Sequence, residues 1–371
     1  MTLHEKPSVW SVVRPHLFVF DPVLTIALAM LVALSFVTMY SAALDYDGRM
    51  QDHIRNVFLA FGVMWLAANA PLRWMQRISL PMYLVGITLL VAVALWGDIA
   101  KGARRWLDLG FTRIQPSELM KIATPMMLAW WFQKREGAQN WIDFVVAGVL
   151  LAVPVALVVR QPDLGTAILV FAAGFYVIYL AGLGWRVLIG GVVGALASMP
   201  VLWSFLHEYQ RQRVLMMIDP SSDPLGRGFH VIQSTIAVGS GGVWGKGWMQ
   251  GTQAHLQFIP ERTTDFVFAV FSEEFGLVGN LVLLAVYLLI IGRGLVIAAN
   301  GANVFARLLA GAITLIVFTY AFVNIGMVSG ILPVVGVPLP MMSYGGTAML
   351  TLGIGLGFLM SIARQRRLVQ A

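Results

Sequence analysis

Ten long apolar runs constrain this chain more than any other feature. They fall at 22–43, 55–72, 79–97, 117–134, 143–159, 164–183, 187–206, 266–291, 307–326 and 345–363. A bilayer core is crossed by an α-helix of roughly 17–25 residues. Backbone N–H and C=O groups find no water there, so each run must close its own hydrogen bonds. The expected fold is an all-α polytopic membrane protein of about ten transmembrane helices. Composition agrees: 12% of residues are charged, against roughly a quarter in soluble domains.

The first twenty residues are polar or mixed and contain Lys6 and Arg14. No cleavable signal peptide is expected, because the first apolar run is long enough to remain as a span. There are no cysteines, which excludes disulfides and thiolate metal sites. An even number of spans puts both termini on one side, and the basic "RQRR" at 364–367 makes that side cytoplasmic. Lys and Arg balance between the two faces in raw number. However, several outer ones sit in one long loop, where the positive-inside rule is weak. The inner loops are almost purely basic, while the outer loops mix signs as a surface for an anionic substrate would.

The whole of 1–371 reads as one transmembrane domain, with a large extracytoplasmic loop at 207–264. Long ordered loops are usually functional. "YQRQR" places Arg211 and Arg213 just after the seventh run. Two readings stand: an interfacial anchor with Tyr209 in the aromatic belt, or an anion clamp, since arginine forks match phosphate oxygens. Residues 229–238 are mildly amphipathic and suit a helix lying in the interface. Gly239, Gly241, Gly242, Gly245 and Gly247 follow. Their backbone N–H groups offer a weak phosphate-cradle signal, and the spacing is not that of a P-loop.

Acids mark the next run. "PERTTDFVFAVFSEEFG" holds Glu261 and Asp265 at its mouth, with Glu273 and Glu274 inside. The plain reading of Asp265 is a helix N-cap, a post that Thr263 or Thr264 also fits. Glu273 and Glu274 lie about 12 Å further down a helix. An acid at that depth costs about 2.5–3.5 kcal/mol and normally faces a cavity or a partner. Adjacent helical positions diverge by about 100°, so the two glutamates need different partners.

More charges sit near membrane depth. "QPSELMK" sets Glu118 and Lys121 at i and i+3 on one helix face, where they can pair. "GARRWLD" supplies Arg104, Arg105 and Asp108, and "RQPDLGT" supplies Arg160 and Asp163. "SGILPVVGVPLPMMSYGG" packs Pro333, Pro338 and Pro340 among glycines. It cannot form a regular helix. Non-helical backbone at that depth survives only where protein or a watery cavity covers it, so a re-entrant segment walling a site is expected. All these features fall at the outer end, as binding a lipid-tailed substrate with an anionic head would require.

"QPSE" with Lys121, "QPDLGT", "YQRQR", "GSGG" with "GKG", "PERTTDF" with "EEFG", and "PVVGVPLPMMSYGG" occur in this order from roughly residue 20 to 365. As an ordered set they resemble the SEDS family (shape, elongation, division and sporulation), and within it the cell-elongation branch. The resemblance implies an extracytoplasmic peptidoglycan glycosyltransferase that polymerises lipid II. It also implies partnership with a class B penicillin-binding protein and other elongation-complex membrane proteins, and no nucleic acid. The family's essential acid maps onto Asp265.

On that reading a sugar hydroxyl attacks an anomeric carbon and expels a lipid pyrophosphate. A carboxylate can take the proton, and cations stabilise the leaving charge. Asp265 is then the general base, with Lys121, Arg211, Arg213 and Arg105 binding pyrophosphate. A ligand role for Asp265 toward a divalent cation, magnesium or manganese, stays open beside it; no organic cofactor is expected. Glu118, Asp163, Glu261, Glu273, Glu274, Ser343 and Tyr344 take supporting places. Glu118 and Lys121 are read either as a structural pair or as substrate contacts. The rival function is a lipid II flippase, disfavoured because the break at 330–346 has no twin in the first half. A passive scaffold would leave the buried charges unexplained.

Overall fold

The computed structural model describes residues 19–370, apart from 101–102, 109–112, 139, 162, 206–210, 212–214, 216–226, 257 and 260. Helices fall on each of the ten apolar runs. They are α1 (Pro22–Ala42), α2 (Arg49–Ala68), α3 (Leu72–Trp96), α4 (Pro116–Lys134), α5 (Trp141–Arg160), α6 (Leu164–Leu180) and α7 (Trp185–Phe205). After α8 (Arg227–Ser240) and the short α9 (Thr252–His255) come α10 (Val267–Ala299), α11 (Val304–Val328) and α12 (Gly346–Gln370). Among the described residues six are long and apolar enough to cross a membrane: α1, α3, α5, α10, α11 and α12. The chain is an integral membrane protein.

The all-α expectation needs one correction. Between α3 and α4 lies a small antiparallel sheet in the order β1 (Asp98–Ala100), β2 (Ala103–Asp108), β3 (Arg113–Ile114). Ile99 lies opposite Arg104, and Leu107 opposite Ile114. Gly97 ends α3 in extended backbone and Pro116 opens α4 at its first turn. The polar stretch between them is outside any apolar run and satisfies its backbone by strand pairing instead.

The bundle is built around α11, whose apolar stretch is 72% buried, against 28% for α3 and α5. It packs on α10, α6, α4 and α12. α2 packs along α12, and α3 along α4. α7 stands apart: its apolar side chains, Val187, Ile189, Val193 and Leu196 among them, are exposed. A soluble protein could not leave such a helix uncovered, whereas lipid can cover it.

Contacts between turns sort the molecule into two ends. At one end Arg262 reaches Ala42, Thr263 meets Tyr344, Gly165 abuts Val335, and Gln115 reaches Asp163. At the other, Arg293 pairs with Asp21, Ser361 meets Ala70, and Phe305 binds Gln133. The first is called the site end below.

Candidate active site

Asp265 lies in the turn Glu261–Phe266, just before α10. It does not cap that helix: the N-cap position is Phe266, with no side-chain cap bond. The Asp265 carboxylate is instead half-buried against Gly336, where an added Cβ would lie 3.4 Å from Oδ2. Gly336 has φ 72°, a backbone region that side-chain-bearing residues rarely adopt. The conformation favours glycine there, while a Cβ would meet the carboxylate only at ordinary van der Waals distance.

The turn is fastened from several directions. Asn324 Nδ2 donates to the Asp265 carbonyl at 2.8 Å and to Val337 O at 2.7 Å. Tyr344 N donates to Thr263 O at 2.8 Å. Arg262 is buried; it donates to Ala42 O at 2.8 Å and pairs with Asp45 at 2.6 Å. Arg49 donates to Thr263 Oγ1 at 3.3 Å, its guanidinium 4.6 Å from the Tyr344 ring centre and 4.8 Å from that of Tyr46. Arginine over an aromatic face is attracted by the ring quadrupole. Glu261 is exposed and accepts from Thr264 Oγ1 at 2.9 Å.

The Pro/Gly-rich segment after α11 has no helix until Gly346, yet Val335, Val337, Leu339, Met341 and Met342 are buried. Buried backbone needs partners, and side chains of the bundle supply them. Tyr287 Oη donates to Pro340 O, Ser35 Oγ to Met342 O, and Asn324 to Val337 O. Within the segment, Leu339 N donates to Ser343 Oγ at 2.8 Å. One side of this segment meets Asp265; the other meets α6, where a Cβ on Gly165 would lie 2.3 Å from Val335 O.

That second side leads to a buried charged cluster. Lys121 donates to Glu118 Oε1 and Tyr320 Oη, both at 2.6 Å. Asp163 caps α6 through Thr166 N at 3.2 Å, and it accepts from Gln115 Nε2 at 3.2 Å. Arg105, on β2, stands 3.7 Å from the same carboxylate. The second oxygen of Glu118 is buried with no hydrogen-bond partner among the described residues. The small sheet thus delivers a cation to the end of α6.

Glu273 and Glu274 have separate partners. Glu273, fully buried, accepts from Lys246 Nζ at 2.6 Å, Thr252 N at 2.9 Å and Gln253 N at 3.1 Å. Glu274 accepts from Ser41 Oγ on α1. The run expected as one regular helix breaks beneath them: Gly276 has φ 62° and ψ −159°. The glycine loop plugs this break. Lys246 N and Gly247 N donate to the carbonyls of Glu273 and Glu274, while Leu277 N and Val278 N donate to Gly242 O and Val243 O. These N–H groups are therefore occupied, and the loop is a backbone splice where a phosphate cradle was one expectation.

Arg211 donates to the carbonyls of Trp203 and Ser204 at 3.0 Å, both in its own segment. No described contact joins it to Asp265 or Lys121. Arg213 lies outside the described residues. Sequence reasoning missed Tyr320 and Asn324, which tie the two clusters to α11. Their signal was legible as two polar residues at i and i+4 within "TYAFVN", since polar groups in a span normally have a partner. It also missed Arg49, the first residue of α2.

These features define an integral membrane protein whose acids, bases and irregular backbone gather at one end of an apolar bundle. The chain matches the family model described as a cell cycle protein, that of FtsW, RodA and SpoVE, over residues 16–368. It belongs to that family, the SEDS family. It is 49% identical over 365 residues to the peptidoglycan glycosyltransferase MrdB of Escherichia coli K12, covering 98% of this chain and 97% of that one. It is 35% identical over 313 residues to MrdB of Helicobacter pylori 26695, covering 82% and 81%. A solved structure, titled as structural coordination of polymerization and crosslinking by a peptidoglycan synthase complex, superposes with TM-score 0.81 at 34% identity. It covers 94% of this chain and 98% of that one. The crystal structure of the Thermus thermophilus rod shape determining protein RodA gives TM-score 0.72 at 28% identity, over 95% and 99%.

Proposed function

We propose that this protein is a peptidoglycan glycosyltransferase that polymerises lipid II during cell elongation, in the inner membrane of a bacterium. One observation carries the reading: the half-buried Asp265 carboxylate faces Gly336 at the mouth of α10, where three elements converge. Relatives over nearly the whole chain that are named peptidoglycan glycosyltransferases support it. The proposal includes ten spans, both termini in the cytoplasm, an extracytoplasmic loop at 207–264 and a re-entrant segment at 330–346.

A hydroxyl of the acceptor sugar attacks the anomeric carbon of the donor. A new glycosidic bond forms, and the bond to pyrophosphate breaks with its electron pair leaving on undecaprenyl pyrophosphate. Asp265 takes the hydroxyl proton. Arg105 and Lys121 stabilise the leaving charge, and Arg211 and Arg213 are proposed to share that role. Arg49, stacked on Tyr344 beside Thr263, joins this set of cations.

Among the described residues no group of three His, Asp or Glu gathers to hold a metal alone. One carboxylate suits magnesium or manganese when substrate phosphates complete the shell, and Asp265 is the residue to supply it. The ion would neutralise the leaving pyrophosphate.

A class B penicillin-binding protein is the proposed partner, in keeping with the synthase complex that this fold superposes on. The test is polymerisation of purified lipid II by wild type, Asp265→Asn and Asp265→Ala, with the partner's transpeptidase blocked. Strands from wild type alone are expected. Restoration of Asp265→Asn by excess manganese would move the residue from base to metal ligand. No strands from any of the three, with or without partner, would favour the flippase.

A further inference from the structure

At the end of the bundle opposite Asp265 lies a cavity of about 460 Å³. It sits beneath the turn joining α2 to α3 and is closed by the last apolar turn of α12. Its walls are the turn Asn69–Pro71, Leu72 and Arg73 of α3, and Ser361, Arg364 and Gln365 of α12. No carboxylate lines it. Neither Arg73 nor Arg364 has a carboxylate partner among the described residues, although Arg135 and Arg293 at the same end are both paired.

The cavity exists because two hairpin neighbours part company. α2 packs along α12 and α3 along α4, so they diverge from their shared turn. Ser361 Oγ donates to Ala70 O at 2.6 Å and Arg364 reaches Asn69 Oδ1 at 3.5 Å, which pins α12 to the turn but leaves the space open. α3 begins at Leu72, its N-cap Pro71 giving no side-chain cap, and has no acid in its first turn, so the positive end of its dipole also enters the cavity. Arg77 follows one turn along α3, and the sequence adds Arg366 and Arg367.

The level matters as much as the charge. The apolar stretches of α3 and α12 end here, at Leu72 and Gln365, so the cavity lies at headgroup depth. Trp65, Leu66 and Trp74 beside it are exposed; such aromatics belong at a membrane–water boundary.

We propose that this cavity binds the phosphate of an anionic phospholipid, with the acyl chains running down the groove between α2 and α3. The site is separate from the polymerisation chemistry and does not rest on it. Basic pockets between spans suit anionic headgroups, and arginine forks suit phosphate oxygens.

The test uses the full chain, stripped of lipid in detergent and offered phosphatidylglycerol or phosphatidylcholine of equal chain length. Retained lipid is counted by native mass spectrometry. Wild type is expected to retain phosphatidylglycerol in preference. The pair Arg73→Gln and Arg364→Gln should lose that preference by about twenty-five-fold, at roughly fivefold per arginine. The pair Arg186→Gln and Arg307→Gln, basic residues outside the cavity, should keep it. Each arginine is also changed singly, so an aggregating pair does not remove the test. Equal retention by wild type and the cavity variants would overturn the site. Binding of inorganic phosphate alone, read by phosphorus NMR and lost in the same variants without any lipid preference, would overturn the lipid as its source.

Discussion

The side-chain amide of Asn324 donates to the backbone carbonyl of Asp265 at 2.8 Å, and the same nitrogen holds Val337 O at 2.7 Å. One fully buried amide on α11 therefore sets the distance between the acid and the segment it faces. Asn324→Ala leaves two carbonyls without their donor, at a cost of about 1–3 kcal/mol. Displacement of a reacting group by about 1 Å can lower a rate by roughly a hundredfold. Lipid II polymerisation should fall at least tenfold in a variant that still elutes as a folded protein. A wild-type rate would show that Asp265 does not depend on this anchor.

The Glu118–Lys121 pair is expected to be asymmetric under mutation. Lys121→Met strands the Glu118 carboxylate among apolar neighbours, and breaking such a pair costs about 3–5 kcal/mol. Glu118→Gln with Lys121→Met removes both charges and should melt higher than Lys121→Met alone. Activity of the double variant separates the two roles. Restored polymerisation makes the pair a brace for α4 against Tyr320; a folded but inactive protein makes Lys121 a substrate contact. Equal melting of single and double variants would contradict the buried pairing.

Helix placement was legible because membrane depth leaves a backbone one way to satisfy itself: every apolar run expected to be helical carries a helix. The pairing of Glu118 with Lys121 followed from their spacing. The irregular backbone after Gly330 followed from its prolines. What the sequence hid were contacts between distant elements. Nothing local says that Gly245 approaches Glu274, that Asn324 holds Asp265, or that Arg105 rides a strand to α6. The break at Gly276 was invisible because its missing helical bonds are replaced by a loop some thirty residues earlier.

That splice makes Gly276 and Gly245 intolerant of side chains. A Cβ on Gly276 would lie 2.3 Å from Gly245 N, and one on Gly245 would lie 2.0 Å from Glu274 O. Backbone strain alone at Gly276 is worth about 1–3 kcal/mol, and the clash adds to it. Gly276→Ala should release the loop at 241–251 from α10, read as faster proteolysis there and a lower melting temperature. Gly292, which has open space around it on the same helix, serves as control: Gly292→Ala should behave as wild type.

Glu273 should matter more than the lysine that pairs with it. Lys246→Ala removes one donor, but Glu273 keeps the N–H groups of Thr252 and Gln253 and the Thr252 hydroxyl at 3.0 Å. Glu273→Ala removes the acceptor for all of them and strands backbone donors beside a buried void, each at about 1–3 kcal/mol. The ammonium of Lys246 loses less, since it is partly exposed and retains Thr252 Oγ1 at 2.9 Å. Thermal unfolding should rank the proteins wild type, Lys246→Ala, Glu273→Ala. If the two variants melted together, the stability of the latch would come from the ion pair and not from the backbone donors. Glu273→Gln then discriminates further: its amide oxygen at the Oε1 position preserves an acceptor for both N–H groups but drops the charge, and it should fall between the alanine variants.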